Sequence, residues 1–272
     1  MTSRVKTVQL ASIPLLAAMA GYTYLFVRQQ SRYKTLAEHQ QALIDRYATG
    51  YAFTNIPAES PGFEDRLAVI YGFLPEVTFQ SLRRLVSDSA NTERTFLPGH
   101  KKGGTVSYEE LHHLAPQVVA FYHAPGLRQW LSSIIGEPVR PTPLNDQSSC
   151  SLLYYTQPGD HIGWHYDHNF YNGRHFTVLL PLINENRTTG QLSSAQLVVQ
   201  TKDGEQTIAT PPNTLVVFEG AKVRHKVTPL QSNEVRVLLS MTFCTSPRAS
   251  LVKEVGRRFK DTAFFGLRAL WT

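Results

Sequence analysis

The sequence predicts an α+β protein in which helices come first and pack outside a β-barrel-like core. Two observations predict it. Residues 63–147 carry apolar positions at helical spacing, and from Ser148 onward the pattern becomes short apolar runs divided by turn residues. At 272 residues the chain is long enough to bury a sizeable core.

The first element is set apart from that core. "VQLASIPLLAAMAGYTYLFV", Val8 to Val27, contains no charged residue. As a helix it would reach about 30 Å, the thickness of a bilayer core. Tyr22 and Tyr24 sit near one end, where an interfacial belt is expected. Residues 1–35 are therefore expected to be a single-pass N-terminal membrane anchor on an endomembrane. A signal peptide cleaved near Ala18-Met19-Ala20 is one alternative, poorly matched because apolar residues continue to Val27. A mitochondrial presequence is the other, because no acidic residue precedes Glu38 while Arg4, Lys6, Arg28, Arg32 and Lys34 are scattered through the segment. Basic residues flank both ends of the run, so orientation is not encoded there.

Residues 36–62 are expected to be a linker, helical in composition up to Tyr47 and a loop from Gly50 to Gly62. In the helical region, "FLPEVTFQSLRRLVSDSA" starts a helix near Pro75 with Phe79, Leu82 and Val86 on one stripe. A second helix is expected over "SYEELHHLAPQVVAFYH", opened by Ser107 and Glu110 as a capping box. A third covers "GLRQWLSSIIG". The basic stretch "HKKGGTVS", His100 to Ser107, reads as a loop. Strands follow over residues 148–247: "CSLLYY", "HIGWHYD", "RHFTVLLPLI", "SAQLVVQ", "QTIAT" after the Asp203-Gly204 turn, "TLVVFEG" and "VRVLLSMTFC". Residues 248–272 are expected to be an amphipathic helix with Val252, Val255, Phe259, Phe264, Leu267 and Trp271 on one face. That face either packs on the barrel or lies on the membrane.

Charge sharpens this division. The chain is +6 overall. Residues 1–40 carry five Lys/Arg against one acid, and residues 248–272 carry six against two, which leaves the stretch between them at −2. A nucleic-acid binder would place its positive charge on the working domain. Charge at the two ends suits an anionic membrane surface better. The two cysteines, Cys150 and Cys244, are too few for a disulfide framework or a thiolate metal cluster.

The stretch "GWHYDHNF" carries the chemistry. In a strand, His165 and Asp167 point to one face, with Gly163 leaving space beside them, while Trp164 and Tyr166 point into packing on the other. His161 shares the first face but lies about 13 Å along the strand and is left out. Downstream, "VRHKVTPL" supplies His225, and eleven residues later Arg236 sits inside an otherwise apolar strand. Two histidines and a carboxylate with open positions form the facial triad of non-haem Fe(II) oxygenases. A guanidinium in a buried strand needs an anionic partner, which a dicarboxylate cosubstrate can provide through paired hydrogen bonds. His112, His113, His123 and His175 are assigned structural or surface roles.

These residues, from about Ser148 to Thr245, resemble the 2-oxoglutarate- and Fe(II)-dependent dioxygenase superfamily, closest to its prolyl-hydroxylase-like branch. The matching pattern is Tyr155, His165 and Asp167, "FTVLLPL", Leu215 to Gly220, His225 to Pro229, and Arg236. The resemblance implies a double-stranded β-helix (jelly-roll) core. It implies His165, Asp167 and His225 as iron ligands and catalytic centre. Arg236 would hold the distal carboxylate of 2-oxoglutarate, with Tyr155 and Thr177 assisting. The implied cofactors are Fe(II), 2-oxoglutarate and O₂, with ascorbate as a candidate addition. The implied activity is hydroxylation of a protein side chain, proline included, or of a small molecule. The chain lacks the Gly-Gly-x-Thr stretch of collagen-type prolyl hydroxylases and has Arg236 where that branch has lysine. An aspartate in the third ligand position argues against halogenation, which needs that position for halide. A catalytically silent scaffold and an AlkB-type nucleic-acid demethylase are the competing classes. The intact ligand set speaks against the first and the −2 core against the second.

Overall fold

The structure is a computed structural model. It describes residues 3–56, 62–86, 93–97 and 101–265, with residues 3–18 as backbone only.

The chain opens with one continuous helix, α1 (Ser3–Tyr47), of 45 residues. The expected boundary between anchor and linker at residue 36 does not interrupt it. Its last third docks on the core through Leu43, with Leu36 and Ala37 partly covered. No helix among the described residues is long and apolar enough to cross a membrane. Most of the apolar run lies within the part described as backbone only.

The region expected to be helical also contributes strands. It runs β1 (Leu67–Ile70), α2 (Glu76–Arg84), β2 (Glu93–Leu97), β3 (Lys101–Val106), α3 (Tyr108–Leu114), α4 (Pro116–His123), α5 (Pro125–Ile135) and β4 (Arg140–Pro141). Helix α2 follows Pro75 and buries Phe79 and Leu82, as expected. The capping box at α3 is present: the Ser107 side chain accepts from the Glu110 amide, and the Glu110 carboxylate accepts from Ser107 N–H. The helix expected to run on to His123 breaks at Ala115, whose φ/ψ of −145/64 is not helical. Pro116 is the cause, because its ring disfavours the helical region for the residue before it. Helix α5 stops at Gly136 in the left-handed conformation, φ 76, which glycine adopts without steric cost.

Eight further strands build the core: β5 (Cys150–Tyr155), β6 (His161–His165), β7 (His175–Asn186), β8 (Leu197–Thr201), β9 (Gly204–Ile208), β10 (Leu215–Phe218), β11 (His225–Val227) and β12 (Glu234–Cys244). Helix α6 (Leu251–Phe265) closes the described chain. The strands form one antiparallel sheet in the order β1-β10-β7-β12-β5-β3-β6-β11-β8-β9. It curls so that its two ends share an interior. One apolar cluster inside the curl combines Tyr155, Leu179, Phe218 and Leu238 from the first half with Leu197, Val199 and Val227 from the second. A second cluster lies outside, where Leu152, Val178, Val237, Leu239 and Phe243 meet Phe121, Tyr122, Trp130 and the other helical residues. Alternation along β12 explains both: odd positions face the helices, even positions face the interior. With both faces buried, such strands read as nearly unbroken apolar runs. This is the expected jelly-roll arrangement of a curled antiparallel sheet with flanking helices.

Two expectations need correction. "KKGGTV" is no surface loop: β3 is the strand that bridges β5 and β6, with Gly104 opposite Tyr154 and Lys101 opposite Ile162. Helix α6 does pack on the barrel, but with its charged face. Arg257 and Asp261 are fully buried, while Val252, Val255 and Phe259 face outward. Phe264 lies outside the described side chains, and Leu267 and Trp271 outside the described residues. Cys150 and Cys244 are both buried and free.

Candidate active site

The interior of the curl holds the three expected metal-binding side chains in one place. Strands β6 and β11 pair with His165 directly opposite His225, and their rings lie 4.1 Å apart. Asp167 follows just beyond β6, fixed by its N–H donating to the Gly220 carbonyl at 3.0 Å. Its Oδ1 lies 3.5 Å from His165 Nε2 and 3.8 Å from His225 Nε2. One ligand atom from each of the three residues falls within 4.8 Å of the others.

Local contacts orient each of the three side chains. His165 Nδ1 lies 2.8 Å from the Gly163 carbonyl, and His225 Nδ1 lies 3.0 Å from the Val223 carbonyl. A proton on each Nδ1 satisfies those carbonyls and leaves each Nε2 lone pair facing Asp167, the tautomer a metal requires. The Thr177 hydroxyl donates to Asp167 Oδ2 at 2.5 Å. Thr177 therefore acts on the Asp167 carboxylate. Gly220 makes room for this pair, since a Cβ there would sit 2.6 Å from Asp167 Oδ2 and 2.7 Å from Thr177 Oγ1. Burial opposes ionisation of Asp167, but the neighbouring imidazoles and the Thr177 hydroxyl outweigh it and hold its carboxyl well below the usual range. Burial pushes His225 toward the neutral form that ligates metal.

Arg236 lies on β12 opposite Tyr155 on β5, its guanidinium 5.5 Å from the centre of the tyrosine ring. It is completely buried, and its Nε, Nη1 and Nη2 all lack a hydrogen-bond partner. Guanidinium carries five N–H donors, and leaving them unpaired inside a protein is costly. The cost is relieved by an anion, and there is room for one. A cavity of about 210 Å³ runs from Arg236 and Tyr155, past Leu153, Leu179 and Leu238, to the His165–Asp167–His225 cluster. A dicarboxylate fits this sequence of surfaces: a cation at one end, apolar walls beside a methylene chain, and three candidate metal ligands at the other end.

Several cavity residues were not foreseen. Lys101 of β3 faces inward, 6% exposed, with Nζ donating to Thr105 Oγ1 at 2.9 Å. His175 of β7 also lines the cavity, and its buried Nδ1 has no partner. Its position two residues before Thr177, on the same strand face, was the signal available. Ser151, Ser240 and Thr242 line the same wall. Serine and threonine at alternate positions of "VLLSMTF" mark that face. Tyr166, expected in packing, is 50% exposed at the cavity edge. Trp164 is also outside the core, with Lys226 Nζ 4.3 Å from its ring centre. His161 Nδ1 lies 2.8 Å from the Gly159 carbonyl, and the residue takes no part in the cluster.

A curled antiparallel sheet with two histidines, one carboxylate and an orphaned arginine on its inside defines a class: non-haem iron oxygenases of jelly-roll fold. Comparison with known proteins agrees. Residues 150–243 match the family model of the 2OG-Fe(II) oxygenase superfamily. Residues 76–185 also match a family model described as Halogenase D. No curated protein matches the sequence. Among solved structures, AviO1 from Streptomyces viridochromogenes Tue57 superposes with a TM-score of 0.52 at 15% identity, over 72% of this chain and 100% of its own. The α-ketoglutarate-dependent carbocyclase SnoK from nogalamycin biosynthesis gives 0.53 at 12% identity, over 75% and 91%. EvdO2 from Micromonospora carbonacea var. aurantiaca, complexed with 2-oxoglutarate, gives 0.50 at 13% identity, over 74% and 96%. At these identities the likeness is one of fold.

Proposed function

We propose that the protein is a membrane-anchored Fe(II)- and 2-oxoglutarate-dependent dioxygenase that hydroxylates a protein side chain, proline included, or a small molecule. The observation that carries the reading is Arg236: a buried guanidinium with every nitrogen unpaired, in one cavity with three convergent metal-ligand atoms. A silent scaffold has no use for that uncompensated charge.

His165, Asp167 and His225 would hold the iron, which with O₂ and 2-oxoglutarate supplies the oxidising power for C–H hydroxylation, releasing succinate and CO₂. The chain's own residues position the reactants. Arg236 takes the distal carboxylate of 2-oxoglutarate with two parallel hydrogen bonds. Leu153, Leu179 and Leu238 keep water from its methylene chain. Thr177 holds the Asp167 carboxylate in one orientation, and the Gly163 and Val223 carbonyls keep both imidazoles in the ligating tautomer.

Halogenation is a second reading, favoured by the Halogenase D match. Asp167 argues for hydroxylation instead, because its carboxylate fills the position a halide would need. Anchoring rests on the charge-free run from Val8 to Val27.

The test is succinate release by the purified chain given Fe(II) and 2-oxoglutarate, followed by incubation with membrane extracts and a search for products heavier by one oxygen. His165→Ala and His225→Ala are expected to abolish succinate release with circular dichroism unchanged. Wild-type protein that binds neither iron nor 2-oxoglutarate would return the case to the scaffold.

A further inference from the structure

Helix α6 is amphipathic the wrong way round for a helix that packs on a soluble core. Its inner face is charged: Arg257 donates to Asp261 and Glu254, and the Lys260 ammonium reaches Asp146, Ser148 and Asp261. Its outer face is apolar: Leu251 is 87% exposed, Val252 83%, Val255 52% and Phe259 68%. The spacing i, i+1, i+4, i+8 makes one continuous stripe. Inner ion pairs already hold the helix, so the outer stripe contributes nothing to the fold described.

The position of α6 says what covers that stripe. The Arg258 guanidinium hydrogen-bonds the side-chain amide of Gln29 on α1. Gln29 comes two residues after Val27, where the charge-free run ends. Met19, Tyr24 and Val27, just before this contact, are themselves well exposed. Arg258, next to Phe259 of the stripe, therefore meets α1 just past the end of the charge-free run. The charge pattern favours lipid over a protein partner: Arg28, next to Gln29, and Arg248, three residues before α6, are exposed cations.

We propose that α6 lies on the surface of an anionic bilayer with Leu251, Val252, Val255 and Phe259 inserted at headgroup level. This rests on the anchoring of α1 proposed above. The consequence reaches the active site, because Lys260 on the inner face of α6 lines the cavity. Only the width of one helix, about 10 Å, then separates the cavity wall from lipid.

The native cysteines are both buried, so a single surface cysteine can be labelled selectively. Full-length Val255→Cys and Phe259→Cys proteins, carrying an environment-sensitive fluorophore, would be bound to vesicles of phosphatidylcholine with phosphatidylglycerol. Glu205→Cys, on the exposed β8–β9 hairpin, is the control. The expected result is a blue shift and quenching by nitroxide-labelled lipid at 255 and 259, with neither at 205. Protein that sediments with the vesicles while 255 and 259 remain in a water-like environment overturns the α6 inference and leaves the anchor standing. Protein that stays in the supernatant overturns both. A blue shift that depends on protein concentration and needs no lipid assigns the stripe to a second copy of the chain and also overturns the proposal.

Discussion

At the scale of single residues, two buried cations carry separate predictions. Arg236 has no protein partner, so its role is decided by what binds beside it. Arg236→Ala is expected to raise the KM for 2-oxoglutarate about a hundredfold, two factors of ten at about 1.4 kcal/mol each, the range of hydrogen bonds to charged groups. Iron binding should persist, since the three ligands are untouched. An unchanged KM would move the carboxylate anchor elsewhere. Lys101 is the second case. Burial pushes its ammonium down from the ordinary lysine value to about 8. Between pH 8 and the ordinary value the unfolded chain binds the proton more tightly, so stability rises with pH across that window, and below it the burial penalty is paid in full. Lys101→Met is therefore expected to be the more stable protein at pH 7, by about 3 kcal/mol at about 1.4 kcal/mol per unit of pKa, and to lose its advantage as the pH passes from 8 toward 10.5. Urea denaturation across that range measures it. A constant offset between the two proteins would show that Lys101 is not desolvated.

At the scale of elements, the core strands and the metal cluster were legible because their signals are local. Short apolar runs and the turn residues between them placed the core strands from β5 to β12 except the three-residue β11, and His165, Asp167, His225 and Arg236 lie on or beside them. What was missed depends on contacts distant in sequence. Strand β3 carries Lys101, Lys102 and two glycines, a loop by composition, and becomes a strand only because β5 and β6 offer it partners. The orientation of α6 was also hidden, because its periodicity gives two faces and not which one is buried. Asp146 decides that. It accepts from Tyr171 at 2.6 Å and pairs with Lys260. Burial opposes its ionisation, but Lys260 and Arg257 prevail and hold its carboxyl at about 2. That contribution is present above the ordinary carboxyl value and is lost as the pH falls through about 2. Asp146→Asn leaves buried cations undercompensated and is expected to cost about 3 kcal/mol. Amide hydrogen exchange should show α6 losing protection before the barrel does. Uniform loss across both would mean that α6 is not a separately held element.

At the scale of the whole molecule, the chain divides into a domain with its own interior and a helix that runs past it. Leu36, Ala37 and Leu43 tie the last third of α1 to the domain. Val8 to Val27 carry no charged residue to hold them in water. A segment of that length can satisfy its backbone internally as a helix and bury its side chains in about 30 Å of hydrocarbon. Full-length protein is therefore expected to remain in the membrane pellet after carbonate washing, which strips proteins held by charge alone. A truncation beginning at Leu36 should be released, because it keeps the docking residues of α1 and drops the apolar run. The pair of proteins separates the two membrane contacts. If the truncated chain stays on anionic vesicles at low salt and leaves at high salt, α6 and the basic C-terminal segment provide a screened, reversible attachment, and α1 provides the permanent one. Full-length protein released by carbonate would remove the anchor, and the exposed stripe of α6 would then need a partner other than lipid.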